Sequence, residues 1–214
     1  MPRPRLAPAA FVELLGQARA SAILRTSLAE AAAPAMEAAI RGGFRIVEFT
    51  LSTPAALDRI AEFAGRTNVV VGAGTVLDVD QARAAHEAGA SFLVSPVVDE
   101  AVIEEAHRLG VAVMPGTQTP TEMLRAHRAG APLQKLFPEA GTGPAAVRAI
   151  LGPMPFLRIV PTSGVDLANA RSYLEAGAYA VGFVNSLFDP TDLQAGRFDA
   201  IERRATQLLA AVRR

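Results

Sequence analysis

Two ionisable residues of this 214-residue chain stand inside apolar, strand-like runs. Lys135 lies in Leu133-Gln134-Lys135-Leu136-Phe137, closed by Pro138, and it is the only lysine beside twenty arginines. A guanidinium stays protonated, whereas a buried amine can lose its proton and attack a carbonyl. The plain structural reading is a stem lying on apolar surface with its ammonium at a strand end. Glu48 lies in Ile46-Val47-Glu48-Phe49-Thr50. Burial raises a carboxyl pKa and lowers an amine pKa, while pairing opposes both shifts. A buried ion pair is therefore the structural alternative. As chemistry, the two suit a Schiff-base mechanism: the amine attacks a ketone, and the carboxyl group moves protons for carbinolamine dehydration and carbon–carbon cleavage.

Short apolar runs alternate with helical periodicity along the chain. The expected strands are Ala22-Leu24, Ile46-Phe49, Val69-Val71, Phe92-Val94, Ala112-Met114, Leu133-Leu136, Leu157-Val160 and Ala180-Phe183. Helical patterns between them include Ala29-Arg41, Pro54-Ala64, Val79-Ala88, Glu100-Arg108 and Thr121-Ala129, with a last helix at Phe198-Val212. Glycines at 42–43, 89, 110, 130 and 177 suit the left-handed residue past a helix end. Strict β-then-α alternation implies parallel strands with right-handed crossovers. Eight such units predict a single (β/α)₈ TIM barrel over residues 1–214, with 1–8 a loose N-terminal segment. An open doubly wound sheet is the alternative, but Gly72-Ala73-Gly74-Thr75 lacks the third glycine of a dinucleotide fingerprint.

A barrel of this kind carries its active site at the C-terminal strand ends. Those ends hold Arg25-Thr26, Glu48, Gly72 to Thr75, Ser95-Pro96, Pro115-Gly116-Thr117, Lys135, Thr162-Ser163-Gly164 and Asn185-Ser186. The last two groups occupy the loops where barrels often bind phosphate through backbone N–H groups, although small polar residues also make ordinary loops. His86, His107 and His127 all fall in helical segments and read as surface residues. No cluster of His and carboxylates has metal spacing, and Met and Phe read as core.

Composition narrows the partners. Half the residues are hydrophobic, so a large core is available, and formal net charge is zero. No basic run interleaves with aromatics, which argues against nucleic acid. The absence of Cys excludes disulfides and thiolate metal sites. No apolar run approaches membrane-spanning length and no secretory core is present, so no membrane partner and a cytoplasmic location are expected.

From about Ala22 to Phe188 the sequence resembles the 2-keto-3-deoxy-6-phosphogluconate (KDPG) aldolases and their 6-phosphogalactonate relatives. The pieces that carry the likeness are Val47-Glu48-Phe49-Thr50-Leu51, Val71 to Leu77 (VGAGTVL), Ser95-Pro96, Met114-Pro115-Gly116 and Lys135-Leu136-Phe137-Pro138. The resemblance implies a class I pyruvate aldolase with Lys135 as the Schiff-base lysine and Glu48 as the proton shuttle. Its substrate is a 2-keto acid, with KDPG leading and 6-phosphogalactonate, an unphosphorylated 2-keto-3-deoxy acid or 4-hydroxy-2-oxoglutarate as alternatives. A binding barrel without turnover is the alternative of another class. By the same resemblance, Thr75 touches the pyruvyl carboxylate, Pro96 and Phe137 wall the pyruvate pocket, and Arg25 lies near the substrate. It also implies a homotrimer with no metal or organic cofactor, only the covalent imine on Lys135. Four residues in three stretches, Ser52, Ser163, Val184 and Asn185, depart from the family pattern. Ser52 stands where KDPG aldolases often have Arg, Thr162-Ser163-Gly164 replaces Thr-Gly-Gly, and Val184-Asn185-Ser186 replaces Gly-Gly-Ser.

Overall fold

The structure is a computed structural model that describes residues 6–138 and 141–213. Most of the segment expected to be loose, residues 1–5, lies outside that range. Pro8 opens a helix: α1 runs Pro8–Ala18, with proline in the first turn, where no N–H is needed. The chain then alternates: β1 Ala20–Leu24, α2 Ala29–Arg41, β2 Ile46–Thr50, α3 Ala56–Ala64, β3 Val70–Gly74, α4 Val79–Glu87, β4 Phe92–Val94 and α5 Glu100–Leu109. It continues through β5 Ala112–Met114, β6 Gly116–Thr117, α6 Pro120–Arg128, β7 Gln134–Leu136, α7 Gly143–Leu151, β8 Ile159–Pro161 and α8 Ala170–Glu175. Last come β9 Val181–Phe183, α9 Pro190–Gln194 and α10 Phe198–Arg213.

All seven strand ladders are parallel. They form a six-stranded sheet ordered β5-β4-β3-β2-β1-β9 and a three-stranded sheet ordered β6-β7-β8. The expected α/β class and the alternation hold, as a curled parallel sheet. The expected fifth strand, Ala112–Met114, is found with those bounds, and after Pro115, which has no N–H to give a ladder, the chain adds the short β6 that pairs with β7. The Pro115 carbonyl still accepts from the Lys135 N–H at 2.9 Å. The expected third strand starts one residue later and reaches three residues further, through Gly74, and α1, β6 and α9 had no counterpart in the sequence reading.

Two apolar layers hold the fold. The larger lies between the strands and the helices, with Ala35, Met36, Val47, Phe49, Ile60 and Phe63 among its buried members. The smaller lies on the opposite, inner face of the curled strands and includes residues of α1. It joins Phe11 and Leu15 to Ile46, Phe92, Ala112, Leu133 and Ala180, which stand at or near the N-terminal ends of their strands. Phe11 stacks on Phe92 at 4.4 Å between centroids, and the Tyr179 hydroxyl donates to the Val12 carbonyl at 2.9 Å. Truncating a buried ring such as Phe11 to Ala costs about 3–5 kcal/mol in typical cores. Gly72 makes room for that layer, because a Cβ there would lie 2.4 Å from the Phe92 ring. One end of the strands is thus plugged with apolar side chains, and the other is left for polar ones. Among the described residues no helix is long and apolar enough to cross a membrane.

Candidate active site

Strand alternation aims Glu48 inward. Its neighbours Val47 and Phe49 pack in the outer layer, whereas Ile46, two residues back, packs in the inner one. Glu48 pairs in register with Ile23 and Gly72. A side chain at residue 74 would collide with the carboxylate: a Cβ there would stand 1.8 Å from Oε1. Gly74 is therefore the space into which Glu48 folds. Lys135 is the middle residue of β7, in register with Gly116 and Val160, and its carbonyl accepts from the Thr117 hydroxyl at 2.9 Å. Gly116 also has to be glycine, since a Cβ would lie 2.2 Å from the Pro96 carbonyl oxygen. That contact brings the strand-4 loop against the strand beside Lys135.

Glu48 is 1% exposed and Lys135 4%. Neither carboxylate oxygen of Glu48 has a hydrogen-bond partner, so the two residues do not form the ion pair that was the structural alternative. The lysine Nζ instead sits 4.8 Å from the centroid of the Phe137 ring. Burial pushes the Glu48 carboxyl above its ordinary range, against the opposing pull of Lys135 and Arg25. Burial also pushes the Lys135 amine down; the Glu48 charge resists that shift and the Arg25 charge adds to it. Both groups move toward their neutral forms. A neutral amine has a lone pair to give, and a protonated carboxyl has a proton to give.

Arg25, exposed past the end of β1, reaches across to Thr75 and donates to its hydroxyl at 3.3 Å. Thr75 has φ of +60°, a left-handed conformation that a β-branched residue seldom adopts. Such strain persists only where the surroundings impose it, and it clusters at functional sites. Behind this pair, the Thr53 hydroxyl lies 3.1 Å from that of Thr50, and Ser52 adds its own hydroxyl 3.0 Å from Thr50.

A cleft of about 440 Å³ opens above Lys135. Arg25 and Phe137 line one side of it, Thr162, Ser163 and Gly164 another, and Asn185 and Ser186 a third. Val165, Asp166 and Val184 complete the distal part. Glu48, Thr75 and Pro96 are not on its lining. Glu48 is enclosed in the strand layer below, Thr75 is tied in through Arg25, and Pro96 lies behind Gly116. A larger depression of about 620 Å³ shares only Arg25 with this cleft and contains Ser52 but no amine or buried carboxylate.

The distal loops are tightly specified. Among the described residues, no main-chain hydrogen bond engages the N–H groups of Ser163, Gly164, Asn185 or Ser186. The Ser186 hydroxyl donates to the Val165 carbonyl at 2.6 Å, which joins the loop after β9 to the loop after β8. The Asn169 side-chain amide donates to the Gly164 carbonyl at 2.8 Å, and its oxygen accepts from the Asp166 N–H at 2.9 Å. Asp166 in turn accepts from the N–H groups of Ala168 and Asn169.

A sequence model of the family described as KDPG and KHG aldolase matches residues 12–204. The KHG/KDPG aldolase of Escherichia coli K12 is 37% identical over 182 residues, covering 83% of this chain and 84% of that protein. A probable 2-dehydro-3-deoxy-6-phosphogalactonate aldolase of Rhizobium meliloti is 36% identical over 193 residues, covering 89% of each. Among solved structures, one described as native KDPGal superposes with a TM-score of 0.82 at 29% identity, covering 91% of this chain and 94% of that one. The chain belongs to the KDPG and KHG aldolase family.

Within this aldolase, eight of the eleven residues expected from sequence line one cleft; of the other three, Thr75 is bonded to Arg25 of that lining, Pro96 packs on Gly116, which is in register with Lys135, and Glu48 feels the charges of Lys135 and Arg25. Asp166 and Asn169 were not picked. Their signal was an Asp-x-x-Asn spacing directly ahead of a helix, a pattern that marks side-chain bonding to nearby backbone. His86, His107 and His127 lie in α4, α5 and α6, away from the cleft.

Proposed function

We propose that this chain is a class I aldolase that reversibly cleaves a 2-keto-3-deoxy-6-phospho sugar acid of the KDPG type to pyruvate and glyceraldehyde 3-phosphate. The observation that carries this reading is a sole lysine, buried beside an unpartnered buried carboxyl, with both groups held toward neutrality. The neutral Lys135 amine adds to the C2 ketone to give a carbinolamine. Glu48 protonates the departing hydroxyl, water leaves, and the iminium forms. Glu48, now a carboxylate, takes the proton from the C4 hydroxyl. The C3–C4 bonding pair then flows into the iminium, giving an enamine and the aldehyde. Glu48 returns its proton to C3, and water hydrolyses the resulting imine to release pyruvate and the amine. The same carboxyl thus gives, takes and gives a proton, a role suited to a group whose pKa lies nearer neutrality than an ordinary Glu.

Arg25 and Thr75 hold the pyruvyl carboxylate in this reading. Arg25 supplies the cation at this rim, where Ser52 leaves none, and Phe137 and Pro96 wall the methylene carbon. The four free N–H groups of the distal loops hold the phosphate. We also read the two sheets as one closed (β/α)₈ barrel. Pro115 alone separates β5 from β6, and at the other seam the Tyr179 N–H donates to the Ile159 carbonyl at 2.8 Å. A cytoplasmic homotrimer is the assembly we propose, with the half-exposed Leu77 and Val97 near the strands' C-terminal ends as apolar surface for it to cover. Light scattering that gave 22.4 kDa at micromolar protein would reject the trimer. The chemistry is tested by cyanoborohydride with pyruvate, which should leave a reduced adduct on the peptide that contains Lys135. A folded protein that gains no adduct would overturn the class I assignment. Pyruvate release from phosphorylated and unphosphorylated acids then decides the substrate class. The Asp166 carboxylate on the cleft wall is the one feature that favours an uncharged tail.

A further inference from the structure

We propose that Asn169 is a positioning residue that shapes the phosphate-binding turn from behind, and that recognition of the substrate tail depends on it although it does not touch substrate. The proposal rests on the phosphate reading given above. The turn at Thr162 to Val165 contains Gly164 at φ +74°, a residue with no Cβ to restrict it. Left alone, such a turn would sample several peptide orientations, and only some of them would present the Ser163 and Gly164 N–H groups to an anion. Three bonds limit that freedom from the C-terminal side of Gly164. Asn169 Nδ2 holds the Gly164 carbonyl at 2.8 Å, Ser186 Oγ holds the Val165 carbonyl at 2.6 Å, and Asn169 Oδ1 holds the Asp166 N–H at 2.9 Å. Each peptide group is planar, so these bonds fix two planes, Gly164–Val165 and Val165–Asp166, and anchor the C-terminal side of Gly164, the residue whose rotation sets where the preceding Ser163 and Gly164 N–H groups point.

Asn169 is absent from the cleft lining, so its bonds draw those groups away from the ligand side. Among the described residues, the N–H groups of Ser163 and Gly164 have no main-chain acceptor. Donors fixed before the ligand arrives bind an anion without the entropic cost of ordering the loop. Ser186 shares the task. Its single hydroxyl proton is committed to Val165, so in this geometry its side chain braces the turn while its N–H remains for the ligand.

The test measures kcat/KM of Asn169→Ala and Asn169→Leu on KDPG and on its dephospho analogue, beside inhibition by inorganic phosphate and cyanoborohydride trapping of pyruvate. Leu keeps the branched four-atom skeleton of the Asn side chain without its hydrogen bonds and guards against collapse of the loop. The expected result is a loss of about tenfold on KDPG and a similar weakening of phosphate inhibition, with the dephospho acid and pyruvate trapping within about twofold of wild type. An unchanged ratio between the two acids in both variants would overturn the positioning role, as would equal losses on both acids. Wild type turning over the two acids equally would instead overturn the phosphate assignment itself, and the role of Asn169 with it.

Discussion

Glu48 and Glu105 are both buried glutamates, 1% and 6% exposed, and their carboxyl groups are driven in opposite directions. Glu105, on α5, accepts from Arg83 of α4 at 2.8 Å and from Arg108 one turn along, in a second, shorter bond as well as one at 2.8 Å. Those guanidiniums hold its carboxyl at about 2. Glu48 lies inside the strand layer with no hydrogen-bond partner, and burial drives it up. The balance of burial and partners decides the direction: at Glu48 desolvation outweighs the pull of Lys135 and Arg25, and at Glu105 two bonded guanidiniums outweigh it. In the helical layer the charge is neutralised and serves to join two helices. Beneath the cleft the charge is left uncompensated, at a cost in stability, and a group in that condition exchanges protons readily.

The sharpest break of this contrast is at the amine. Lys135→Arg keeps a cation over Phe137 but offers no lone pair, and kcat/KM should fall by about 10⁴-fold or more with no pyruvate adduct. Retention of even a hundredth of wild-type turnover in that variant would remove Lys135 from the mechanism. Glu48→Gln keeps the shape and removes the acid, so kcat should fall by roughly 10²–10⁴-fold while imine trapping persists at a lower rate. Turnover near wild type would leave Glu48 a structural role only.

A finer test uses signs. The Glu48 charge holds the Lys135 pKa up, and the Arg25 charge pushes it down. Glu48→Gln should therefore move the pH midpoint of pyruvate trapping to more acid values, and Arg25→Gln should move it to more alkaline ones. Arg25→Gln should also raise the Glu48 pKa, because Arg25 now lowers it. Midpoints that shifted in the same direction in both variants would contradict the electrostatic arrangement described here.

Much of the site was legible because the sequence is locally one-sided. A single amine among guanidiniums and a carboxylate between valine and phenylalanine are visible without coordinates. The alternation of strands and helices was equally plain. What stayed hidden depends on contacts across the fold. The short strand after Pro115 exists only because it pairs with the strand that carries Lys135. The positive φ of Thr75 is imposed by its neighbours, and the commitment of the Ser186 hydroxyl to Val165 joins residues 21 positions apart. Asn169 carried a local signal that reads equally well as an ordinary turn. The absence of an ion pair between Glu48 and Lys135 could not be read from composition at all, since both outcomes use the same two residues.

The smallest effect expected is at the paired carboxylate. Because its folded pKa is depressed from 4.5 to about 2, Glu105 contributes stability that is present above the ordinary carboxylate range and is lost as pH falls toward 2. Arg83 and Arg108 are half exposed or more, so solvent and salt screen the interaction and the contribution is modest. Glu105→Gln should lower Tm by about 2 °C near pH 7, by less in molar salt, and hardly at all near pH 2, while leaving kcat unchanged. The opposite trend is expected at Glu48. Its folded pKa is raised, so the wild type loses stability as pH rises through that value, and Glu48→Gln, which never ionises, should escape this loss. The two melting curves should thus separate from wild type with opposite sign at neutral pH. If Glu105→Gln lowered Tm equally at pH 2 and pH 7, packing and not charge would account for that residue, and its contrast with Glu48 would fail.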